Sequence, residues 1–76
     1  MRQLVLQLAR GLVREPGKVR VHEEREDGTT VLELEVAPSD IGRVVGRDGR
    51  TAQALRVLVE ALARRRGERV ELEILD

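Results

Sequence analysis

The chain has 76 residues, enough for one domain with one hydrophobic core. Its composition, 41% hydrophobic and 37% charged, is typical of a globular protein, and the absence of cysteine excludes disulfides and thiolate metal sites. The 14 basic and 14 acidic residues cancel and no aromatic residue is present, which argues against a strongly basic nucleic-acid binder and against base stacking on aromatic side chains.

The sequence contains no segment typical of secretion or of membrane insertion. Its first residues alternate apolar and polar side chains and lack the continuous apolar region of a signal peptide. No apolar run approaches the ~20 residues that a bilayer-spanning helix needs. We therefore expect a cytoplasmic protein with no membrane partner.

The first predicted element is an amphipathic helix near the N-terminus. Its apolar residues recur at helical spacing, and Pro16-Gly17 is expected to end it. The residues that share this apolar side are Leu4, Val5, Leu8, Ala9, Leu12 and Val13.

Two antiparallel strands joined by Asp27-Gly28 are predicted next. Asp-Gly is a strong hairpin signal because a type I′ turn needs positive φ at both central residues. A two-residue turn also fixes the register of the hairpin. The predicted cross-strand pairs are Val19 with Val36, Val21 with Leu34, Arg20 with Glu35 and His22 with Glu33. Apolar residues then face apolar ones and charges face opposite charges, and His22 is interpreted as an exposed cross-strand partner rather than a ligand.

A short helix, a loop with two glycines and a long helix are predicted after Pro38. Ser39 is expected to cap the short helix over residues 40–45. The long helix is expected to run from about residue 50 to 66 and to end at Gly67, with Arg56 paired to Glu60 one turn later. The apolar side of this helix is predicted to contain Ala52, Leu55, Val59 and Leu62, widened by Ala54, Val57, Leu58 and Ala61.

A third strand follows, in which Val70, Leu72 and Ile74 alternate with charged residues. About thirty residues of helix separate the second and third strands, so we expect a parallel pairing with a right-handed crossover. The prediction is a single α+β domain over residues 1–76 with the order α-β-β-α-α-β. Its three-stranded mixed sheet and three covering helices form two layers.

The loop Gly46-Arg47-Asp48-Gly49, hereafter the GxxG loop, is the segment that folding alone explains least. Two glycines let the backbone turn sharply and approach another backbone closely. With helix N-terminal amides directly behind it, such a loop suits the sugar-phosphate chain of a single-stranded nucleic acid. A plain turn between two helices is the alternative interpretation.

Within this element order, residues 41–51 (IGRVVGRDGRT) closely resemble the core signature of a type II KH domain. The resemblance covers the whole chain, whose length is similar to that of stand-alone bacterial KH proteins of the KhpA type. A GxxG pattern alone is weak, but between two helices and after I-G-x-V-V it is specific.

The resemblance implies binding of single-stranded RNA. The two glycines would let the loop pack against phosphates, Arg47 would add positive charge, and an apolar groove would hold about four bases. Residues 64–69 and the last strand would form the other side of the groove. The implied RNA-binding residues are Ile41, Gly42, Arg43, Val44, Val45, Gly46, Arg47, Asp48, Gly49 and Arg50.

Three points about these residues stay open at this stage. Arg43 and Arg50 suit either a solvated surface or a phosphate contact. The apolar residues at positions 41, 44 and 45 cannot all point inward from a short helix, so some are core. Asp48 departs from the family pattern, and we expect it to cap the long helix through the amide of residue 50 or 51 and to lower RNA affinity.

Catalytic residue combinations are missing, since the single histidine has no nucleophile near it in the sequence. No metal-ligand spacing or nucleotide-binding motif occurs. We therefore expect no enzyme, no cofactor, no metal and no small-molecule substrate. The resemblance favours an RNA chaperone or post-transcriptional regulator. The alternative is a protein-interaction subunit that forms a homodimer, or a heterodimer with a larger KH protein, and binds little RNA itself.

Overall fold

A three-stranded sheet covered on one face by helices forms the fold in the computed structural model, which describes residues 1–76. The elements in chain order are α1 (Arg2–Leu12), β1 (Arg20–Glu26), β2 (Thr29–Glu35), α2 (Ile41–Val45), α3 (Arg50–Arg65) and β3 (Val70–Ile74). Short 3-10 turns occupy Pro16–Lys18, Pro38–Asp40 and Arg47–Gly49. The predicted α+β class and the predicted order of elements are confirmed.

The β1–β2 hairpin has the predicted register, with Arg20 opposite Glu35 and Val21 opposite Leu34. Asp27 and Gly28 both have positive φ, 50° and 81°, as a type I′ turn requires. These two residues therefore set the pairing of every residue in the hairpin.

The side-chain contacts across the hairpin differ from the prediction. His22 Nε2 lies 2.8 Å from Glu35 Oε1, although Glu33 is its backbone partner. Arg20, the backbone partner of Glu35, instead donates from Nη1 to the carbonyl oxygens of Gly17 (2.8 Å) and Val19 (2.9 Å). Because Arg20 turns toward these carbonyls, the carboxylate of Glu35 is left to the diagonal histidine.

The third strand pairs in parallel with β2, as predicted, so β2 is central and β1 and β3 are the edges. Leu32 and Leu34 of β2 are fully buried and form the middle of the core. Val5 of α1 and Val59 of α3 belong to the same cluster. The central strand therefore carries the side chains on which the helices pack.

The first helix ends earlier than predicted. Val13, directly after α1, already has an extended backbone with φ −101° and ψ 163°. The amides of Arg14 and Glu15 then donate to the carboxylate of Asp40, each at 3.0 Å. This distant acceptor satisfies two backbone donors outside the helix, so the chain leaves α1 before Pro16.

The short helix α2 begins differently from the prediction. Ser39 lies inside the preceding 3-10 turn and does not cap α2. Its hydroxyl donates instead to Glu15 Oε2 at 3.4 Å. Asp40 occupies the N-cap position, yet its side chain makes no capping hydrogen bond because its two oxygens face the segment after α1.

The end of α3 is the one that the sequence predicted. Gly67 has φ 71°, its amide donates to the carbonyl of Arg64 at 3.0 Å, and the amide of Glu68 donates to that of Ala63 at 2.9 Å. These two hydrogen bonds are those of a Schellman motif, in which glycine relieves the strain of the left-handed residue.

The predicted contacts along α3 need two corrections. Arg56 forms no ion pair with Glu60, because its Nε donates to the carbonyl of Leu72 on β3 at 3.2 Å. The buried side of α3 consists of Ala52, Leu55, Val59 and Ala63, whereas Leu62 is half-buried and Ala54, Val57 and Leu58 are exposed.

No helix is long and apolar enough to cross a bilayer.

Candidate nucleic-acid interface

The GxxG loop reverses the chain between α2 and α3 through three residues with positive φ. Gly46 ends α2 with φ 78° and ψ 173°, while its amide still donates to the carbonyl of Gly42 at 2.9 Å. Asp48 (φ 55°, ψ 25°) and Gly49 (φ 74°, ψ 13°) are both left-handed. One hydrogen bond, from the Gly49 amide to the Gly46 carbonyl at 3.2 Å, closes the loop.

The two glycines of the loop serve different purposes. A Cβ on Gly46 would lie 2.8 Å from Thr51 Cβ and 2.9 Å from Thr51 N, which is closer than real side chains approach. At Gly49 the same atom would meet nothing within 4 Å, so only its positive φ favours glycine there. The first glycine therefore lets the loop pack on α3, whereas the space beside the second is open to a ligand.

The three apolar residues of α2 separate into core and surface. Val44 is fully buried in the core cluster, which also contains Leu55. Ile41 and Val45 are half-buried. The accessible apolar surface of α2 therefore comes from these two side chains, while Val44 belongs to the core.

The charged residues near the loop are mostly unpaired. Arg47, Asp48 and Arg50 are exposed, and neither of the two ion pairs of the protein includes them. The expected cap from Asp48 to α3 is wrong, because no side chain caps this helix. Gly49 occupies the N-cap position and Asp48 precedes it in a left-handed conformation, so no side chain accepts from the first amides of α3, and the Arg50 amide donates to the carbonyl of Arg47.

Asp40, directly before α2, has contacts that the sequence did not reveal. It is the only buried charged residue, with 1% of its surface exposed. The Arg14 amide, followed by the Glu15 amide and the Arg43 and Arg14 charges, lowers the pKa of Asp40 below its ordinary value, and burial opposes this shift only in part. Arg43 Nε lies 3.3 Å from Asp40 Oδ1. No group of three or more His, Cys, Asp or Glu side chains is placed to hold a metal ion.

The basic residues at positions 64–69 lie at the other end of α3. The helix has 16 residues, which separates them from the GxxG loop by about 24 Å. Arg66 and Arg69 border a surface cavity of ≈ 520 Å³ together with Arg2 of α1 and Arg25 of β1. The basic residues therefore form two groups, one at each end of α3.

The helix-free face of the sheet is acidic. Side chains alternate between the two faces of a strand, so the residues that do not face the helices share this surface. They include Glu24, Glu26, Glu33, Glu35, Glu71 and Glu73, and the only basic residues among them are Arg20 and His22. The balanced net charge thus results from segregation, and a polyanion is repelled from this face.

Known proteins match the chain along its whole length. The family model described as KhpA/KhpB, KH domain, matches residues 2–74. A relative from Caldanaerobacter subterraneus subsp. tengcongensis, named RNA-binding protein KhpA, is 44% identical over 99% of this chain and 100% of its own length. Proteins of the same name from Aquifex aeolicus and Halalkalibacterium halodurans are 43% and 45% identical; each alignment covers 100% of this chain, and 96% and 100% of the relatives.

Proposed function

The chain belongs to the KhpA/KhpB KH-domain family, and we propose that it binds single-stranded RNA at the GxxG loop and the adjoining surfaces of α2 and α3. The observation that carries the proposal is the open, left-handed loop at Gly49, flanked by exposed Arg47 and Arg50. The relatives named as RNA-binding proteins support it.

Phosphate binding follows from the backbone of this loop. The first amides of α3 have no side-chain cap, and they lie at the positive end of the helix dipole. An RNA phosphate placed beside Gly49 would lie at this positive end of α3 and close to Arg47. The carboxylate of Asp48 is exposed in the same loop and would oppose the phosphate, so we expect moderate affinity.

The surface offers fewer favourable contacts to the bases than to the phosphates. Ile41 and Val45 offer half-buried apolar surface, but the protein has no aromatic residue on which bases could stack. Affinity then depends mainly on phosphate contacts, which do not distinguish sequences. We accordingly propose an RNA chaperone or post-transcriptional regulator of low sequence specificity that acts in the cytoplasm, with no catalytic activity of its own.

Charge reversal in the loop tests this function. We expect Arg47→Asp to weaken binding of a fluorescein-labelled single-stranded RNA by at least about tenfold in fluorescence anisotropy, because it removes a phosphate contact and adds repulsion. Arg10→Asp is the matched control, since it makes the same change of charge at an exposed position of α1. Unchanged affinity of a folded Arg47→Asp protein, or an equal loss in both variants, would contradict binding at the loop.

A second function is favoured by the exposed apolar side of α3. Val57 and Leu58 are 54% and 42% exposed, and Ala54 and Ala61 lie one turn before and after them on the same side. This spacing is typical of helices that pair. We propose that α3 packs against a second copy of the chain or against another KH protein, which would join two weak RNA sites and raise their combined affinity.

The molecular mass in solution tests pairing separately from RNA binding. We expect wild type to elute as a dimer in size-exclusion chromatography with light scattering, and Leu58→Glu to elute as a monomer with an unchanged circular dichroism spectrum. Gln7→Glu, which adds the same charge at an exposed position of α1, is the control. A wild type that stays monomeric at high micromolar concentration would contradict homodimer formation, and addition of the candidate KH partner would then test the heterodimer.

A further inference from the structure

The surface cavity of ≈ 520 Å³ at the C-terminal end of α3 has walls from three separate parts of the fold. The first wall is the start of α1, the second is the end of β1 beside the hairpin turn, and the third is the segment between α3 and β3. Pockets for small organic ligands are mostly apolar, but only three of the twelve residues that line this cavity are hydrophobic. Its chemistry therefore suits a charged ligand.

Positive charge is in excess in this cavity, hereafter the arginine cavity. Its charged residues are four arginines and two glutamates, namely Arg2, Arg25, Arg66, Arg69, Glu23 and Glu68. None of them takes part in either of the two ion pairs of the protein, His22–Glu35 and Arg43–Asp40. A sphere of ≈ 520 Å³ is about 10 Å across, one Debye length at 0.1 M salt, so the arginines repel one another with only partial screening. Folding alone does not explain why they share one cavity, whereas an anionic ligand does.

The arginine cavity lies on the side of the sheet that an RNA strand can approach. Arg25 is aligned across the sheet with Thr30 and Val70. Val70 belongs to the core, so the Arg25 side chain lies on the helix side, away from the acidic face. Because the acidic face repels a polyanion, a strand that extends beyond the GxxG loop is kept on the helix side. The arginine cavity is the second group of basic residues there, about 24 Å from the loop at the other end of α3.

We propose that the arginine cavity is a second phosphate-binding site, in which Arg2 and Arg25 bind the backbone of an RNA strand that extends beyond the GxxG loop. This inference rests on the proposed RNA-binding function. A guanidinium binds phosphate oxygens through charge-assisted, often bidentate hydrogen bonds. Neither α1 nor β1 belongs to the groove that the sequence resemblance implies, so the site enlarges the RNA-binding surface. A short RNA occupies the loop alone, whereas a longer RNA contacts both sites and gains affinity through effective concentration.

RNA length separates the two sites experimentally. The probes are a single-stranded RNA of about 4 nucleotides, the number that a KH loop clamps, and one of about 16 nucleotides. We expect the double variant Arg2→Gln/Arg25→Gln to bind the long RNA about fivefold to tenfold more weakly in fluorescence anisotropy. Binding of the short RNA, followed by nuclear magnetic resonance titration, should be unchanged. For the long RNA, the slope of log affinity against log salt should become shallower by about 1.4, the effect of two phosphate contacts on a single strand.

Two further variants show whether the effect belongs to the arginine cavity. Arg10→Gln/Lys18→Gln is the matched control, because it removes the same charge at exposed positions outside the cavity and should leave both affinities unchanged. Glu23→Gln removes a carboxylate from the cavity and should tighten binding of the long RNA about twofold to threefold. A substitution that only disturbed the fold would not tighten binding. An unchanged or weakened affinity of Glu23→Gln for the long RNA would contradict the second site.

A free nucleotide is the other source of phosphate, and ATP is its probe. We expect ATP to bind at least about a hundredfold more weakly than the long RNA, because it cannot contact the loop and the cavity at once. ATP binding as tight as that of the long RNA, and lost in Arg2→Gln/Arg25→Gln, would overturn the assignment to RNA.

Failure of this inference is distinguishable from failure of the proposed function. Unchanged binding of the long RNA by Arg2→Gln/Arg25→Gln, or an equal loss for both RNAs, would overturn the second site. If Arg47→Asp weakens binding of both RNAs while Arg2→Gln/Arg25→Gln weakens neither, only this inference is wrong. If Arg47→Asp leaves binding of both RNAs unchanged, RNA binding at the GxxG loop is itself refuted.

Discussion

Substitution of Gly46 by alanine should be the most damaging single change in the GxxG loop. The backbone of Gly46, φ 78° and ψ 173°, lies in a region that is almost exclusive to glycine, and a side chain there costs about 1–3 kcal/mol. The new Cβ would also lie 2.8 Å from Thr51 Cβ and 2.9 Å from Thr51 N. Relief of such a clash by backbone movement costs typically about 1–3 kcal/mol more.

The sum, about 2–6 kcal/mol, is large for this chain. A domain of 76 residues is expected to have a free energy of unfolding of about 4–11 kcal/mol. Gly46→Ala should therefore remove roughly half of the stability. Gly49→Ala is the matched control, because its φ of 74° costs about 1–2 kcal/mol but its Cβ would enter open space.

Urea unfolding followed by circular dichroism at the helix band measures both variants, since the protein has no aromatic residue for intrinsic fluorescence. Truncation of Thr51, which lies against Gly46, adds a second control. Thr51→Ala removes the hydroxyl but leaves Cβ and the amide nitrogen, so the double variant with Gly46→Ala should recover only part of the loss. Equal stability of Gly46→Ala and Gly49→Ala would refute the steric role of Gly46.

Three further outcomes are expected. The pKa of Asp40 is lower in the folded protein than its ordinary value of 3.8, so its contribution to stability is complete above that pH and is lost as the pH falls through the lower folded pKa. Acid unfolding of Asp40→Asn should lack this component. Identical profiles of stability against pH for the variant and wild type would contradict the stabilising role of the carboxylate. Leu32→Ala, at a fully buried position of the central strand, should cost about 2–5 kcal/mol in urea unfolding, and a loss below about 1 kcal/mol would be inconsistent with its place in the core. Glu73→Gln should stabilise the protein by a few tenths of a kcal/mol at low salt, because Glu33 lies opposite it on the acidic sheet face, and the gain should disappear at high salt; a salt-independent effect would rule out charge repulsion as the cause.

Features that depend on residues close together in the sequence were predictable from the sequence alone. The alternation of Val70, Leu72 and Ile74 predicted β3, and Asp27-Gly28 predicted both the hairpin and its register. Gly67 predicted the end of α3. Each of these follows from the conformational preferences of one or two residues or from the period of a helix or strand, which no distant contact needs to supply.

Within the candidate site, the sequence predicted the loop but not which of the nearby apolar side chains are buried in the core. The assignment of Ile41 to Arg50 as RNA-binding residues stays a prediction that the variants above test. The period of α2 could not show that Val44 is core while Ile41 and Val45 are half-buried, because a helix of five residues has no complete apolar pattern. Asp48 failed as a cap because Gly49 occupies the position from which a side chain reaches the first amides.

The sequence by itself determined the elements, their order, the hairpin register and the glycine loop, since all of these depend on local backbone preferences. Only the tertiary structure decided which side chains meet across the fold. Asp40 reaches two amides 25 and 26 residues away, and Arg56 reaches the carbonyl of Leu72, 16 residues later. A buried carboxylate or a long arginine binds whichever donors or acceptors packing brings near it, and sequence spacing does not encode that proximity.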